Sequence, residues 1–227
     1  MTASATTAIA AHLRSVQARI DAACGRAGRD PASVRLIAVS KTMPPELAWA
    51  AIEAGVTDLG ENYVQEGAAK RAALGTNAGK ARWHLIGHLQ SNKIRAALEA
   101  FDVIQTVDSI KLAEALDRRS ETRLPVLLEV NVAGEPSKYG FAPRDVAGAV
   151  AAISKLPNLA LEGLMTIAPA VDDPSQVRPL FRALRELADA NGLRQLSMGM
   201  TGDFEAAIAE GSTMVRIGRA IFGERTL

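Results

Sequence analysis

Short apolar runs that stop at a glycine or polar residue alternate along this chain with longer stretches whose apolar positions recur every three or four residues. Ile9, Leu13, Val16 and Ile20 are spaced four, three and four apart, which predicts an amphipathic helix over about 6–23, ended by Gly25 and Gly28. The run Arg35-Leu36-Ile37-Ala38-Val39-Ser40-Lys41-Thr42 follows; its apolar part reads as a strand buried on both faces. The strand breaks at Pro44-Pro45, and Pro45 with Glu46 suits the first turn of a helix that Gly55 closes. The same unit then recurs, with strands predicted over 56–60, 82–86, 102–107, 125–132, 159–167, 195–198 and 213–217. A helix follows each, the last very short, and Asp108 or Ser109 is the natural N-cap after the fourth.

Eight strands alternating with helices predict an α/β protein built as a single (β/α)8 TIM barrel over 1–227, rather than an open doubly wound sheet. The chain stops at Leu227, too soon for a full eighth helix, while an extra helix precedes the first strand. The helix within 1–28 is therefore expected to pack on the barrel and cover the gap.

Composition narrows the class. Aromatics are only 4% against 48% hydrophobic residues, which suits closely packed helices more than a β sandwich. A net charge of +1 gives no reason to expect nucleic acid or an anionic membrane as partner. The lone Cys24 rules out an intramolecular disulfide framework, fits a reducing compartment and reads as a packing residue. The first eleven residues contain no basic side chain and no window holds the ~18 apolar residues of a membrane span, so a soluble, cytoplasmic protein is expected.

The chemistry collects after the strands. Lys41, Asn62, His88, Asn131, Thr166, Thr201 and Gly218 all follow strand ends, at the mouth where barrels hold ligands. A lysine there is either a solvated strand end or a partly desolvated nucleophile. After the seventh strand, Gly199-Met200-Thr201-Gly202-Asp203 brings free amides and the Thr201 hydroxyl to a helix start; Gly218-Arg219 repeats the device after the eighth. Two such loops side by side suit a phosphate, and a phosphate facing an aldehyde-capturing Lys41 suggests pyridoxal 5'-phosphate held as a Schiff base. Met214, Arg216 and Gly218 share a strand face, so Arg216 can reach the pyridine nitrogen and keep it unprotonated, a weaker electron sink than an aspartate would give. His84 and His88 with nearby Glu61 could suggest a metal site, but no third ligand has fixed spacing and His84 lies inside a strand, so no metal is expected. His88 reads as a proton donor or a loop residue tied to backbone, and Lys138, on the long loop after the fifth strand, as a second amine able to contact the cofactor.

Ala38-Val39-Ser40-Lys41-Thr42, Gly60-Glu61-Asn62-Tyr63-Val64-Gln65-Glu66, Trp83-His84-Leu85-Ile86-Gly87-His88-Leu89-Gln90-Ser91-Asn92-Lys93, Leu164-Met165, Ser197-Met198-Gly199-Met200 and Val215-Arg216-Ile217-Gly218 resemble the signatures of the YggS/PROSC family of pyridoxal phosphate homeostasis proteins. The likeness runs over about 35–224. It implies a barrel like the N-terminal domain of alanine racemase, of fold type III among pyridoxal phosphate proteins, with the cofactor on Lys41. It also implies that Thr201, Gly218 and Arg219 bind phosphate, that Arg216 meets the ring nitrogen and that Asn62 lies beside the ring. The family usually has serine at the place of Thr201, which keeps the hydroxyl, and a small residue at the place of Arg219, which leaves only the backbone amide in common. Three functions follow: a carrier that holds pyridoxal phosphate and passes it to apo-enzymes without turnover, an amino-acid racemase or lyase, and a cofactor-free Schiff-base aldolase. The first is expected. Only Tyr63 and Tyr139 are available as tyrosine acids, 227 residues leave no room for the second domain of alanine racemase, and the aldolase gives Arg216 no task. A closed barrel needs no second copy, so a monomer is expected.

Overall fold

The computed structural model describes residues 3–223. Helix α1 (Ala3–Arg26) leads into β1 (Arg35–Val39), α2 (Pro45–Glu53), β2 (Asp58–Glu61), α3 (Val64–Leu74), β3 (Arg82–Leu85), α4 (Ile94–Ala100) and β4 (Val103–Val107). The second half runs α5 (Ile110–Asp117), β5 (Leu124–Glu129), α6 (Val146–Ile153), β6 (Leu159–Met165), α7 (Arg178–Ala190), β7 (Gln195–Ser197), α8 (Phe204–Ala209), β8 (Met214–Ile217) and α9 (Arg219–Phe222). The strands pair in chain order and β8 closes on β1, with Arg35 to Ala38 opposite Met214 to Ile217, so the sheet is a parallel eight-stranded barrel. No helix among the described residues is long and apolar enough to cross a membrane.

The expected strands are all present, most of them shorter than expected, while β2 starts two residues late at Asp58 and runs on to Glu61. β5 stops at Glu129 and β6 at Met165, short of the expected ends at Val132 and Ile167. Beyond those points the chain turns out to form the rim. Ser109, not Asp108, caps α5, accepting from the Leu112 amide at 3.3 Å. Gly25 does not end α1; the helix passes through it to Arg26 and stops before Gly28, whose φ of 64° supplies the left-handed residue a helix end favours.

α9 is a single turn, and α1 packs along α2, α8 and α9. Its apolar stripe of Ile9, Leu13, Val16 and Ile20 is buried. Polar contacts mark the same seam. The ring of His12 meets the Ile221 carbonyl at 2.9 Å, Arg19 pairs with Glu205 at 3.0 Å over the Phe204 ring, and Arg29 donates to the Ile208 carbonyl at 2.8 Å.

Inside the barrel, Ile37, Leu127, Met165 and Met214 form an apolar cluster separate from the larger core beneath the helices. Because side chains alternate along a strand, residues two positions toward the carboxyl ends also face inward. Glu129 and Arg216 therefore rise from Leu127 and Met214 toward the mouth.

Candidate functional site

The six residues expected to hold the cofactor lie on or just past four strands that are consecutive around the barrel, β7, β8, β1 and β2. Thr201 lies on the loop after β7, Arg216 on β8 with Gly218 and Arg219 beyond it, Lys41 past β1 and Asn62 past β2. The closure of β8 on β1 thus brings the chain's two distant ends to one side of the mouth. Backbone contacts tie the loops together there. The Arg216 amide donates to the Gly199 carbonyl at 3.0 Å, the Ser40 amide to the Gly60 carbonyl at 3.1 Å, and a Cβ on Gly218 would stand 3.2 Å from the Val39 carbonyl. The turn after β7 requires its glycine: Gly199 has a φ of 95°, and a Cβ there would press on Ala207 and Phe204. Gly87 is needed for a close approach, since a Cβ would overlap the Asn62 carbonyl.

Lys41 is half-buried, and the peptides on either side of it are held from below. Lys70, on α3 and 3% exposed, donates to the Ser40 carbonyl and pairs with Glu61 and Glu66, each at 2.7 Å. Glu61, fully buried, accepts from the Ser40 hydroxyl, and Glu66 accepts from the Thr42 amide. Thr42 is the one non-glycine among the described residues with a positive φ, 65°, a conformation disfavoured unless its surroundings enforce it. The Glu66 bond to its amide is such an enforcement. Burial pushes the Glu61 carboxyl up, while Lys70 and Ser40 draw it back down, and its Oε2 finds no partner among the described residues. Lys41 therefore leaves β1 in a direction set by a buried Glu-Lys-Glu cluster.

Arg216 is 4% exposed and donates through Nη1 to the Ser197 hydroxyl and through Nη2 to the Thr166 carbonyl, both at 2.7 Å. Burial lowers it to about 10, against the attraction of Asp203 and Glu129, so it remains a cation at neutral pH. Glu129 lies outside the set of residues that the sequence leads one to expect at the site. It is buried, its Oε2 has no partner among the described residues, and burial with repulsion from Asp108 raises its carboxyl to about 7 despite Arg216. An orphan carboxyl beside a cation at a barrel mouth is a place for a ligand's donor.

Glu129 also predicts a pH dependence. Its carboxyl keeps a proton to about pH 7 in the folded chain but ionises near the ordinary 4.5 when unfolded. The native state binds more protons between those values, so this group's contribution to stability falls as pH rises through that window. In the cofactor-free protein, Glu129→Gln is expected to raise stability at pH 8 by up to about 3 kcal/mol and to flatten the decline. Urea midpoints measured from pH 4.5 to 8 check this; an unchanged slope contradicts it.

Other expected residues have different tasks. Asn131 faces its own loop, its amide donating to the Glu135 carbonyl at 2.8 Å and accepting from the Glu135 amide at 3.1 Å. Lys138 pairs with Glu135 at 2.6 Å and reaches the Ile167 carbonyl at 3.2 Å, bridging two rim loops. His88 pairs with Asp108 at 3.1 Å and stacks on Tyr139 with ring centres 3.7 Å apart, which joins the loops after β3, β4 and β5. His84 lies inside the barrel, bonded to Asp58 and Gln105, so His84, His88 and Glu61 have separate partners. Cys24 is buried and its thiol is raised by desolvation, the state of an inert packing residue.

The N-terminal domain of alanine racemase is the family model that matches, over residues 11–226. A pyridoxal phosphate homeostasis protein of Pseudomonas aeruginosa is 47% identical over 222 residues, 96% of each chain, and that of Escherichia coli K12 is 44% identical over 96% of this chain and 97% of its own. Among solved structures, a protein from Bifidobacterium adolescentis superposes with a TM-score of 0.93 at 42% identity, covering 98% of this chain and 97% of the other. The PipY protein of Synechococcus elongatus, solved with pyridoxal phosphate bound, gives 0.81 at 37% identity over 95% of this chain and 100% of its own. Alanine racemase of Clostridium difficile, at 15% identity and a TM-score of 0.76, shares the fold. With 44–47% identity over nearly the full length of both chains, the chain belongs to the pyridoxal phosphate homeostasis protein family, built on the alanine racemase N-terminal barrel.

Proposed function

We propose that this chain binds pyridoxal 5'-phosphate as a Schiff base on Lys41 and releases it to other proteins, apo pyridoxal phosphate-dependent enzymes among them, without turnover of its own. The observation that carries the reading is the convergence of Lys41, the loops of Thr201 and Gly218, and Arg216 on one side of the mouth. The cofactor supplies an aldehyde that condenses with a primary amine, losing water, and a phosphate dianion. The chain supplies the rest. The turn at 200–203 leaves the Thr201 and Gly202 amides without an acceptor among the described residues, and the first amides of α9 are free by the geometry of any helix start. With the Thr201 hydroxyl and the Gly218 backbone they form a phosphate cradle. The Arg219 side chain is exposed, so its share is the backbone N–H. Asn62 flanks the ring, and a further N–H of Arg216 meets the ring nitrogen, keeping it unprotonated and the bound cofactor a weaker electron sink. The orphan Oε2 of Glu129 fits a polar ligand in the same mouth, since a carboxyl at about 7 can accept a hydrogen bond or donate one. The barrel closes on its own strands and Cys24 is a free, buried thiol, which suits a monomer in the cytoplasm.

Glu129 favours one second reading, a racemase or lyase, because a carboxyl titrating near neutrality can exchange a substrate proton. Loaded protein mixed with single amino acids separates the two. The carrier reading expects no racemisation or deamination above that of free cofactor by chiral chromatography, together with recovery of activity when an apo-enzyme is added. Turnover that Glu129→Gln abolishes supports the second reading and overturns the first.

A further inference from the structure

Five side chains from five strands run through the barrel interior as one hydrogen-bonded file. Arg216 Nη1 donates to Ser197 Oγ at 2.7 Å, Ser197 Oγ to Gln105 Oε1 at 2.6 Å, Gln105 Nε2 to His84 Nδ1 at 3.0 Å, and His84 Nε2 to Asp58 Oδ1 at 2.8 Å. Ser197, Gln105 and His84 are fully buried, and Asp58 and Arg216 nearly so. The file leads from the mouth toward the opposite end of the barrel, where Asp58 also accepts from Thr57 at 2.8 Å and faces Arg35 at 3.8 Å.

Its direction is fixed. A guanidinium only donates, so the Ser197 oxygen accepts and its one proton goes to Gln105 Oε1. The Gln105 amide nitrogen then donates to His84 Nδ1, which carries no proton, and the remaining imidazole proton points at Asp58. Each link allows one arrangement of the next. Burial opposes the charge on Asp58, but hydrogen bonds from His84 and Thr57 outweigh it and hold the carboxyl below its usual range. Burial lowers His84 against the pull of Asp58, with the charges of Arg82 and Arg35 acting in the same direction as burial. At the other end Arg216 is faced by the Thr166 carbonyl and by Asp203 and Glu129.

TIM barrels are normally filled with branched apolar side chains, and five buried polar groups are costly unless every bond is made. Here every link along the file is made, and the file ends on the one arginine that the cofactor reading requires. We propose that Asp58, His84, Gln105 and Ser197 are positioning residues for Arg216. They commit one guanidinium nitrogen to the interior, in one orientation, so that the N–H facing the mouth meets the ring nitrogen at a fixed angle. The anionic far end strengthens the file, because polarising each donor in turn makes the Ser197 oxygen a better acceptor.

This inference rests on the role given to Arg216 above. Gln105→Leu cuts the file at near-constant volume, Ser197→Ala removes one link, Ser197→Thr restores the hydroxyl, and Asp58→Asn keeps the shape while removing the charge. Each protein is loaded with excess pyridoxal phosphate, its cofactor content is assayed after denaturation, and the absorbance of the bound chromophore is followed against pH. Gln105→Leu and Ser197→Ala are expected to load, to show a displaced absorbance maximum and pH midpoint, and to bind the cofactor roughly ten-fold more weakly, the worth of one hydrogen bond to a charged group. Asp58→Asn shows the same displacement in smaller measure, and Ser197→Thr returns toward the parent. Loaded variants with unchanged spectrum, midpoint and affinity, altered only in melting temperature, overturn the inference; Asp58→Asn decides the matter if the others do not fold. A parent protein that takes up no cofactor defeats the cofactor reading itself.

Discussion

A chain that begins at Arg29 is expected not to fold. Ile9, Leu13, Val16 and Ile20 are buried between α1 and the barrel's outer layer, and each contributes about 1.5–3 kcal/mol. Together they amount to most of the ~5–15 kcal/mol by which a domain is stable. Deletion also bares the faces of α2, α8 and the single turn of α9 that α1 covers, and α9 lies directly after Gly218. Circular dichroism of the truncated chain should show little cooperative melting, and it should not take up pyridoxal phosphate. A folded, cofactor-competent truncation would mean that α1 is an ornament and that β8 and α9 hold their places without it.

Lys70→Met should destabilise the full chain by about 3–5 kcal/mol, the usual consequence of removing one partner from a buried ion pair. Glu61 would keep a buried carboxylate with only the Ser40 hydroxyl beside it, and Glu66 would lose the cation that holds it under Thr42. The penalty comes from stranded charge, so the double variant Glu61→Leu/Lys70→Met should recover much of it. Cofactor capture should respond differently. Both variants free the Ser40 carbonyl and loosen the turn that carries Lys41, so both should take up pyridoxal phosphate more slowly, whatever their stability. Urea unfolding gives the first quantity and stopped-flow absorbance the second. Equal uptake by the double variant and the parent would show that the cluster only stabilises the chain.

The barrel was legible because its evidence is periodic and local. Eight apolar runs with polar ends can be counted, and the stripe of Ile9, Leu13, Val16 and Ile20 is visible from its spacing alone. Lys41, Asn62, Thr201 and Gly218 could be named in the same way, as residues just past strands. The interior file was not legible, although each member could be seen as a polar residue in an apolar strand. Gln105 sits in Val103-Ile104-Gln105-Thr106-Val107 and Ser197 in Gln195-Leu196-Ser197, but which polar residues face one another across a barrel depends on register, including the shift between Ile104 and Val107. Glu66 and Lys70 read as an ordinary surface pair four residues apart on a helix, since burial of a helix face by a neighbouring loop has no local signature. Asn131 differs for a related reason: a residue two positions past Glu129 would face inward only if the strand continued, and β5 ends at Glu129.

Lys41 is the proposed covalent anchor. Protein loaded with pyridoxal phosphate, reduced with borohydride and digested should yield one modified peptide, with the pyridoxyl group on Lys41, and Lys41→Ala should be colourless and unlabelled at that peptide. A label on Lys138 or another lysine with Lys41 unmodified, or a yellow Lys41→Ala protein, would show that Lys41 is not the anchor.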